Sequence, residues 1–339
     1  MGLKTTATRR CLWFEGDSRV SVREEPMADP GPGEVSIESI FSAISPGTEM
    51  LFYRGDIEAG AEVDTVLEGY RAEIAYPLRY GHATVGRVVA AGSGAEEARI
   101  GSLVFAFTPH ASAVCIPADQ LLPVPADVPP DQAVCFAAAE TAVNLVLDCA
   151  PLLGERVSVF GLGVIGQLTA GLLARFPLES LTGWDPLPQR RKAATDAGIS
   201  AMDPMAAQPS VKTEDLAVEL SGSAQGFRSA LASCRYNGRI VVGSWYGARS
   251  RQAGISAFDT AFHRNRVRII PSQVSTIDPA LSGRWSRERR HAAAWEAVRV
   301  LAPSRLITQR FPFSRSADAY RLIAEDPAQT LQVLLVHGS

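Results

Sequence analysis

The sequence predicts a two-domain protein of the α/β class, a barrel-like β domain followed by a domain built on a doubly wound parallel sheet. Three observations lead there. The chain has 339 residues, more than one hydrophobic core usually organises. Its first 125 residues are short β-rich runs broken by Pro and Gly, with no long helical pattern. From Pro129 onward, apolar strand-like runs alternate with helical spacing.

In the first part the β-rich runs are 12–14, 20–22, 34–40, 86–91, 103–107 and 113–116. DPGPGE at 29–34, SPGTE at 45–49 and GSG at 92–94 separate them, as turns do where Gly permits positive φ and Pro fixes a bend. Residues 131–150, DQAVCFAAAETAVNLVLDCA, form an Ala-rich helix whose start is marked by Pro129, Pro130 and Asp131. There follow a strand at 156–160, a helix at 164–175, a strand at 180–184, a helix at 189–197, a strand at 216–220, a helix at 224–234 and a strand at 240–243. Parallel strands need crossovers, and helices supply them, so this alternation implies a parallel sheet. The tail holds a helix at 289–301, a strand at 307–311, a helix at 314–324 and a strand at 330–336. Periodicity leaves open whether it extends the sheet or returns to the first domain. There is no internal repeat or low-complexity tract.

Composition narrows the function classes. With 46% hydrophobic residues, 20% charged residues and a net charge of −3, the chain reads as a soluble globular protein without a nucleic-acid-binding basic surface or a disordered tail. The richest apolar stretch, 133–153, is interrupted by Glu140, Asn144 and Asp148. No run therefore approaches the roughly 18 to 20 residues that span a bilayer, and no membrane role is expected. Cys11, Cys115, Cys135, Cys149 and Cys234 are scattered without a CxxC pair, which suits reduced, buried thiols in a cytoplasmic protein. The start MGLKTT formally fits a myristoylation pattern, which is too short to carry weight.

The strongest motif is RVSVFGLGVIGQLTAGLLA at 156–174. Gly161 permits a tight turn, Gly163 lets the backbone approach a pyrophosphate, and Gly166 lets helix and strand pack closely. Leu162, Val164 and Ile165 complete a loop whose backbone N–H groups, with the positive end of the helix dipole, face the phosphates. Asp185 ends the next strand 19 residues after Gly166 and is placed to accept from the adenosine ribose hydroxyls. A carboxylate there repels a 2′-phosphate, so NAD is favoured over NADP. Arg190 and Arg191 could stack on adenine or meet a phosphate, which keeps NADP open, but they equally suit the solvated first turn of a helix. Because ligands bind at the carboxyl ends of parallel strands, Ser221, Gly222, Gly243, Ser244 and Trp245 are further candidate contacts. Such a unit implies hydride transfer between a nicotinamide cofactor and an organic substrate.

PGPGEV at 30–35, SPGTE at 45–49, YGHATVGRVVAAGSG at 80–94, GSLVFAF at 101–107, ETAVN at 140–144, GLGVIG at 161–166 and NGRIVVG at 237–243 add a resemblance. Taken together, the chain resembles the medium-chain dehydrogenase/reductase superfamily, the fold of zinc alcohol dehydrogenases and quinone oxidoreductases. The resemblance implies a GroES-like β-barrel domain at 1–125, completed by 275–339, and a Rossmann domain at 126–274. It also implies that Ser272 and Gln273, in the segment 272–274, lie near the nicotinamide carboxamide, and that the protein is a homodimer acting on a small alcohol or ketone. More narrowly, SAISPGTE, AAAETAVN and FHRNRVRIIPSQVSTIDPALSGRW are similar to a zinc-lacking subgroup that includes bacteriochlorophyllide hydroxyethyl dehydrogenases and related pigment or natural-product dehydrogenases.

The departures from the family pattern shape the expected chemistry. The proximal zinc cysteine falls on Ser45 or Pro46, the GHE motif has become Gly81-His82-Ala83, the distal cysteine falls near Ala137, and the four-cysteine lobe is absent. A zinc site needs about three protein ligands, and one imidazole does not make one, so no metal is expected; Glu140 is the remaining conceivable ligand. His82 then becomes the leading general acid/base, since imidazole titrates near neutrality. The family pattern places Glu49 where it would orient His82; a purely structural Glu49–His82 hydrogen bond is the alternative. Thr48 matches the hydroxyl that contacts the reacting oxygen, and Ser45 offers a second, although both also suit a turn. Tyr53 and Glu140 are weaker candidates, adequately explained by packing. His110 reads as a loop or surface residue, Trp245 and Tyr246 as substrate cover or ordinary loop aromatics, and RWSRERRH at 284–291 as a solvated helix face. The expected activity is zinc-independent alcohol/ketone oxidoreduction with NAD(H). The rivals are quinone or enone reduction and non-catalytic dinucleotide binding.

Overall fold

The structure, a computed structural model, describes residues 7–57, 74–95, 100–247 and 260–338. The MGLKTT start lies outside the described residues. The chain divides into two compact units. The first holds the described residues up to Gly55, then Ile74–Ala137, then everything from Pro303; the second holds Ala138–Ala302 with Asp56 and Ile57.

The first unit begins with β1 (Ala7–Gly16) and β2 (Arg19–Met27), an antiparallel hairpin. Its loop is Asp17-Ser18, both at positive φ (50° and 56°), which matches the twist of the flanking strands. β3 (Glu34–Ile44) follows, then α1 (Thr48–Arg54), β4 (Thr84–Ala91), β5 (Leu103–Ala106), β6 (Ala113–Pro117), β7 (Leu122–Pro123) and the short α2 (Pro130–Ala133). The helix α1 is absent from the expectation for this region. Seven residues are too few for a periodic signal, and the Pro-Gly turn before it dominates the local sequence; Met50, Phe52 and Tyr53 nevertheless give it a buried face.

The second unit contains α3 (Phe136–Cys149), β8 (Arg156–Phe160), α4 (Val164–Leu173), β9 (Ser180–Trp184), α5 (Pro188–Asp196), β10 (Ser200–Met202), β11 (Glu214–Glu219), α6 (Ala224–Ser233), β12 (Cys234–Val242), α7 (Thr260–Asn265), β13 (Arg268–Pro271) and α8 (Arg287–Leu301). Its sheet runs β10-β9-β8-β11-β12-β13, with every pair parallel. Two halves therefore meet between β8 and β11. Both faces are covered: Val157, Val159, Leu216, Val218 and Val241 enter one core, while Phe160, Ala217 and Ile240 enter the other. Burial on two faces explains why the centres of these strands are mostly apolar. The short strands β10 and β13 were missed because three or four residues carry little pattern.

The chain then returns to the first unit with β14 (Ile307–Pro312), α9 (Ser316–Glu325) and β15 (Gln332–Val336). The seven-stranded sheet there runs β14-β15-β3-β4-β5-β7, with β6 also on β3. β15 lies antiparallel to β3, with Val333 opposite Ile44, so the tail belongs to the β unit. The division differs from the expected bounds of 125 and 275. Asp131 pairs with Arg310 at 3.0 Å, keeping α2 in the first unit. α8 packs on α4, where a Cβ on Gly171 would come 2.9 Å from Leu301, and so stays in the second.

Arg239 on β12 is buried. It donates to both oxygens of Glu155 (2.6 and 2.7 Å), to the carbonyl of Cys149 (2.9 Å) and to that of Ala150 (3.2 Å), capping the end of α3. Arg239→Met is expected to lower stability by about 3 kcal/mol, because the partner carboxylate is left buried and unpaired. Adding Glu155→Met should recover much of that loss in urea unfolding; a double variant no better than the single one contradicts this account.

Candidate functional site

The glycine loop sits at the carboxyl end of β8, beside the point where the two halves of the sheet meet. Gly161 has φ +97°, and a Cβ there would lie 2.6 Å from the Leu220 backbone. A Cβ on Gly166 would lie 1.9 Å from the Gly161 carbonyl oxygen. Gly163, the N-cap of α4, faces open space instead, and no side chain caps its helix. The loop's approach side is thus bare backbone at a helix N-terminus, the geometry that receives phosphate. Leu162 and Val164 are buried and Ile165 packs against the core, so the side chains of these three are taken up by packing.

Asp185 is 2% exposed at the end of β9. Its Oδ2 accepts from Leu162 N and its Oδ1 from Leu187 N, each at 2.9 Å, while Arg190 Nη1 stands 3.5 Å from Oδ2. The carboxylate therefore clamps the glycine loop and keeps lone pairs for a further donor. Arg191 turns to the carbonyls of Asp185 and Pro186 and to the Asp203 carboxylate.

At the ends of β11 and β12, Ser221 donates from N (2.8 Å) and from Oγ (2.5 Å) to Glu219, and Gly222 N donates to Ser244 Oγ (2.9 Å). Glu219 is fully buried and also accepts from Tyr246 Oη at 2.5 Å. Burial and that carboxylate push the Tyr246 phenol far up, so it remains a donor and its ring is fixed rather than free to cover a substrate. Glu219 was not among the predicted residues, although a carboxylate inside the apolar run LAVEL is a signal for it. Gly243 abuts the Leu145 and Leu220 side chains, whereas Trp245 is 41% exposed. Ser272 follows β13, held through its N–H to Val242 O at 2.8 Å; Gln273 comes next and donates from its amide to Ser275 Oγ at 2.7 Å.

In the first unit the expected Glu49–His82 hydrogen bond is replaced. Fully buried Glu49 accepts from Ser45 N (2.9 Å) and from Tyr320 Oη, and pairs with His110 Nε2 at 3.0 Å. Burial works against the Glu49 carboxylate, but the charge and hydrogen bond of His110, the charge of His82 and the Tyr320 hydroxyl outweigh it, and the carboxyl lies below its ordinary value. His110 is no surface residue. It is fully buried, packed so tightly on Gly81 (φ +133°) that a Cβ there would come 2.7 Å from the ring. His82 is half-buried, 6.1 Å from the Tyr80 ring centre. Thr48 and Ser45 are partly exposed on either side of the Pro-Gly turn. His337 bonds Ser42 Oγ at 2.9 Å, and burial drives its pKa down to about 3, helped by the charges of His110 and Arg10.

RWSRERRH is a solvated helix face only in part. Arg284, Arg287 and Arg289 are exposed, but Arg290 is 3% exposed and, like His291, bonded to buried Glu140. Among the described residues no group of three or more His, Cys, Asp or Glu side chains could hold a metal ion. The described residues do not fit a zinc centre, since both Glu49 oxygens already accept hydrogen bonds and Glu140 is matched by Arg290 and His291. Burial pushes the Cys135 and Cys234 thiols up to about 12, which leaves them unreactive.

No family model matches the chain. It is 27% identical over 271 residues to D-guloside 3-dehydrogenase of Escherichia coli, covering 76% of this chain and 77% of that protein. Among solved structures, L-idonate 5-dehydrogenase of Escherichia coli superposes with a TM-score of 0.77 at 18% identity, over 98% of this chain and 99% of that one. A short chain alcohol dehydrogenase of Escherichia coli, complexed with NADH, gives a TM-score of 0.74 at 19% identity over 97% and 99%. The chain shares its fold, a GroES-like β unit with a Rossmann unit, with these solved dehydrogenases.

Because the Glu49 carboxyl lies below its ordinary value of 4.5, its contribution to stability is complete above that pH and is lost as the pH falls through the lowered value. Tyr320→Phe removes one donor and should move the acid limb of the stability curve to higher pH; an unmoved limb would show that Tyr320 does not support the carboxylate.

Proposed function

We propose that this chain is a zinc-independent, NAD(H)-dependent oxidoreductase of the alcohol dehydrogenase-like, medium-chain type, acting on the carbinol or carbonyl group of a small alcohol or ketone. One observation carries the cofactor assignment: three glycines, each with its own steric role, form a bare-backbone turn at the switch point of a 3-2-1-4-5-6 parallel sheet, clamped by a buried carboxylate at the end of the neighbouring strand. The dehydrogenase relatives and the NADH-complexed neighbour support the same reading.

The bound dinucleotide supplies hydride exchange at its nicotinamide. The α4 N-terminus binds the pyrophosphate, and Asp185 meets the ribose hydroxyls while disfavouring a 2′-phosphate. His82 takes or returns the substrate proton, with Thr48 bonding the reacting oxygen and Ser45 beside it. The charge of His82 in turn supports the Glu49 carboxylate, which anchors the turn that bears Thr48. The zinc-independent assignment rests on the donor set described above. A role in pigment or natural-product metabolism, as a cytoplasmic homodimer without nucleic-acid or membrane partners, follows from the sequence resemblance and the near-neutral charge.

Titration calorimetry should show NADH binding more tightly than NADPH, and Asp185→Ala should weaken NADH by at least about tenfold while narrowing that preference. Unchanged selectivity removes Asp185 from the assignment. His82→Asn should lower kcat on the order of 10²-fold and flatten its pH profile. Full activity of that variant across pH, or one tightly bound zinc per chain that activity requires, defeats the mechanism.

A further inference from the structure

Helix α3 carries Glu140, Asn144 and Asp148 at intervals of four residues in a mostly apolar sequence. That spacing puts them in one row on one face of the helix. Arg290 from α8 lies along the row. Its Nε donates to Glu140 at 3.1 Å, its Nη2 stands 2.9 Å from the same oxygen, and its Nη1 donates to Asn144 Oδ1 at 2.9 Å. The Asn144 amide continues the chain, donating to Asp148 Oδ2 (3.0 Å), Ser272 Oγ (3.3 Å) and the Gln273 carbonyl (3.5 Å). Ser272 Oγ in turn donates to Asp148 Oδ2 at 2.5 Å, and Arg290 Nη1 reaches the Thr276 carbonyl at 3.4 Å.

Stability alone does not account for this ladder. Burying a guanidinium against a carboxylate costs desolvation that the pairing often only offsets, and apolar replacements of such pairs are frequently neutral or stabilising. The ladder instead ends on a loop, gripping it at Ser272, Gln273 and Thr276, just beyond the carboxyl end of β13. That is the end where this fold binds ligands. The glycine loop and Asp185 occupy the β8–β10 half of the sheet, so the second nucleotide of a bound dinucleotide belongs to the β11–β13 half.

We propose that the buried ladder Glu140–Arg290–Asn144–Asp148–Ser272 is a positioning device that fixes the loop after β13 against the nicotinamide half of the dinucleotide. The proposal rests on the cofactor reading above. Arg290, Asn144 and Asp148 are positioning residues, acting through the loop rather than on the cofactor. The ladder discriminates between parts of one ligand: it matters for the nicotinamide end and is indifferent to the adenosine end.

Affinities of the full-length wild type, Asn144→Ala and Ser272→Ala for NADH and for ADP-ribose, which lacks nicotinamide, test it by calorimetry. Each variant is expected to bind NADH about tenfold more weakly, the loss that one or two hydrogen-bonded links would give. ADP-ribose affinity should stay within about twofold of wild type, which also shows that the variants are folded. A parallel loss for both ligands, or unchanged NADH binding in both variants, overturns the proposal. A wild type that binds neither ligand overturns the cofactor reading itself, and this shows before any variant is compared.

Discussion

Everything in the second unit is arranged around one close backbone approach. Where a Cβ on Gly166 would collide with the Gly161 carbonyl, and one on Gly161 with the Leu220 backbone, β8, β11 and α4 are drawn together more tightly than side chains permit. That contact aims the first turn of α4 at the crevice between the halves of the sheet. It also brings Leu162 N within reach of Asp185 on the adjacent strand. Position, dipole and charge at the proposed cofactor site thus descend from the absence of two methyl groups.

The buried ionisable groups divide the remaining labour. Arg239 with Glu155 closes the end of α3, and Glu219 secures the turns after β11 and β12. In the other unit Glu49 gathers a backbone N–H, an imidazole and a phenol around one carboxylate. Each carboxylate is saturated by donors, which is what allows it to remain charged away from water. Saturation also makes these groups poor metal ligands, because their lone pairs already point at protein.

The sequence disclosed these features unevenly. β8 and β9 appear at the bounds their sequence suggested, each ending on buried apolar residues just before a turn. The glycines were legible for the opposite reason, as the residues that punctuate such runs. By contrast, α1 is too short for periodicity to register, and β10 and β13 are barely longer than a turn. Side-chain pairing was the least visible layer. Nothing in the sequence ranks His110 above His82 as the partner of Glu49, because the preference arises from the packing of His110 on Gly81. Arg290 looks like its solvated neighbours until the polar row on α3 is set beside it; the i, i+4, i+8 spacing of Glu140, Asn144 and Asp148 was the available clue.

The pairing of β15 with β3 bears on how such a chain acquires its shape. β3 needs β15 on one flank, and nearly the whole of the second unit lies between the two strands in sequence. The second unit, by contrast, is almost entirely one uninterrupted stretch, from Ala138 to Ala302. Its sheet closes through successive crossovers between near neighbours in sequence, whereas the β unit must join strands from either side of that stretch. Until β15 pairs with it, the Phe41–Ile44 stretch of β3 presents an open strand edge.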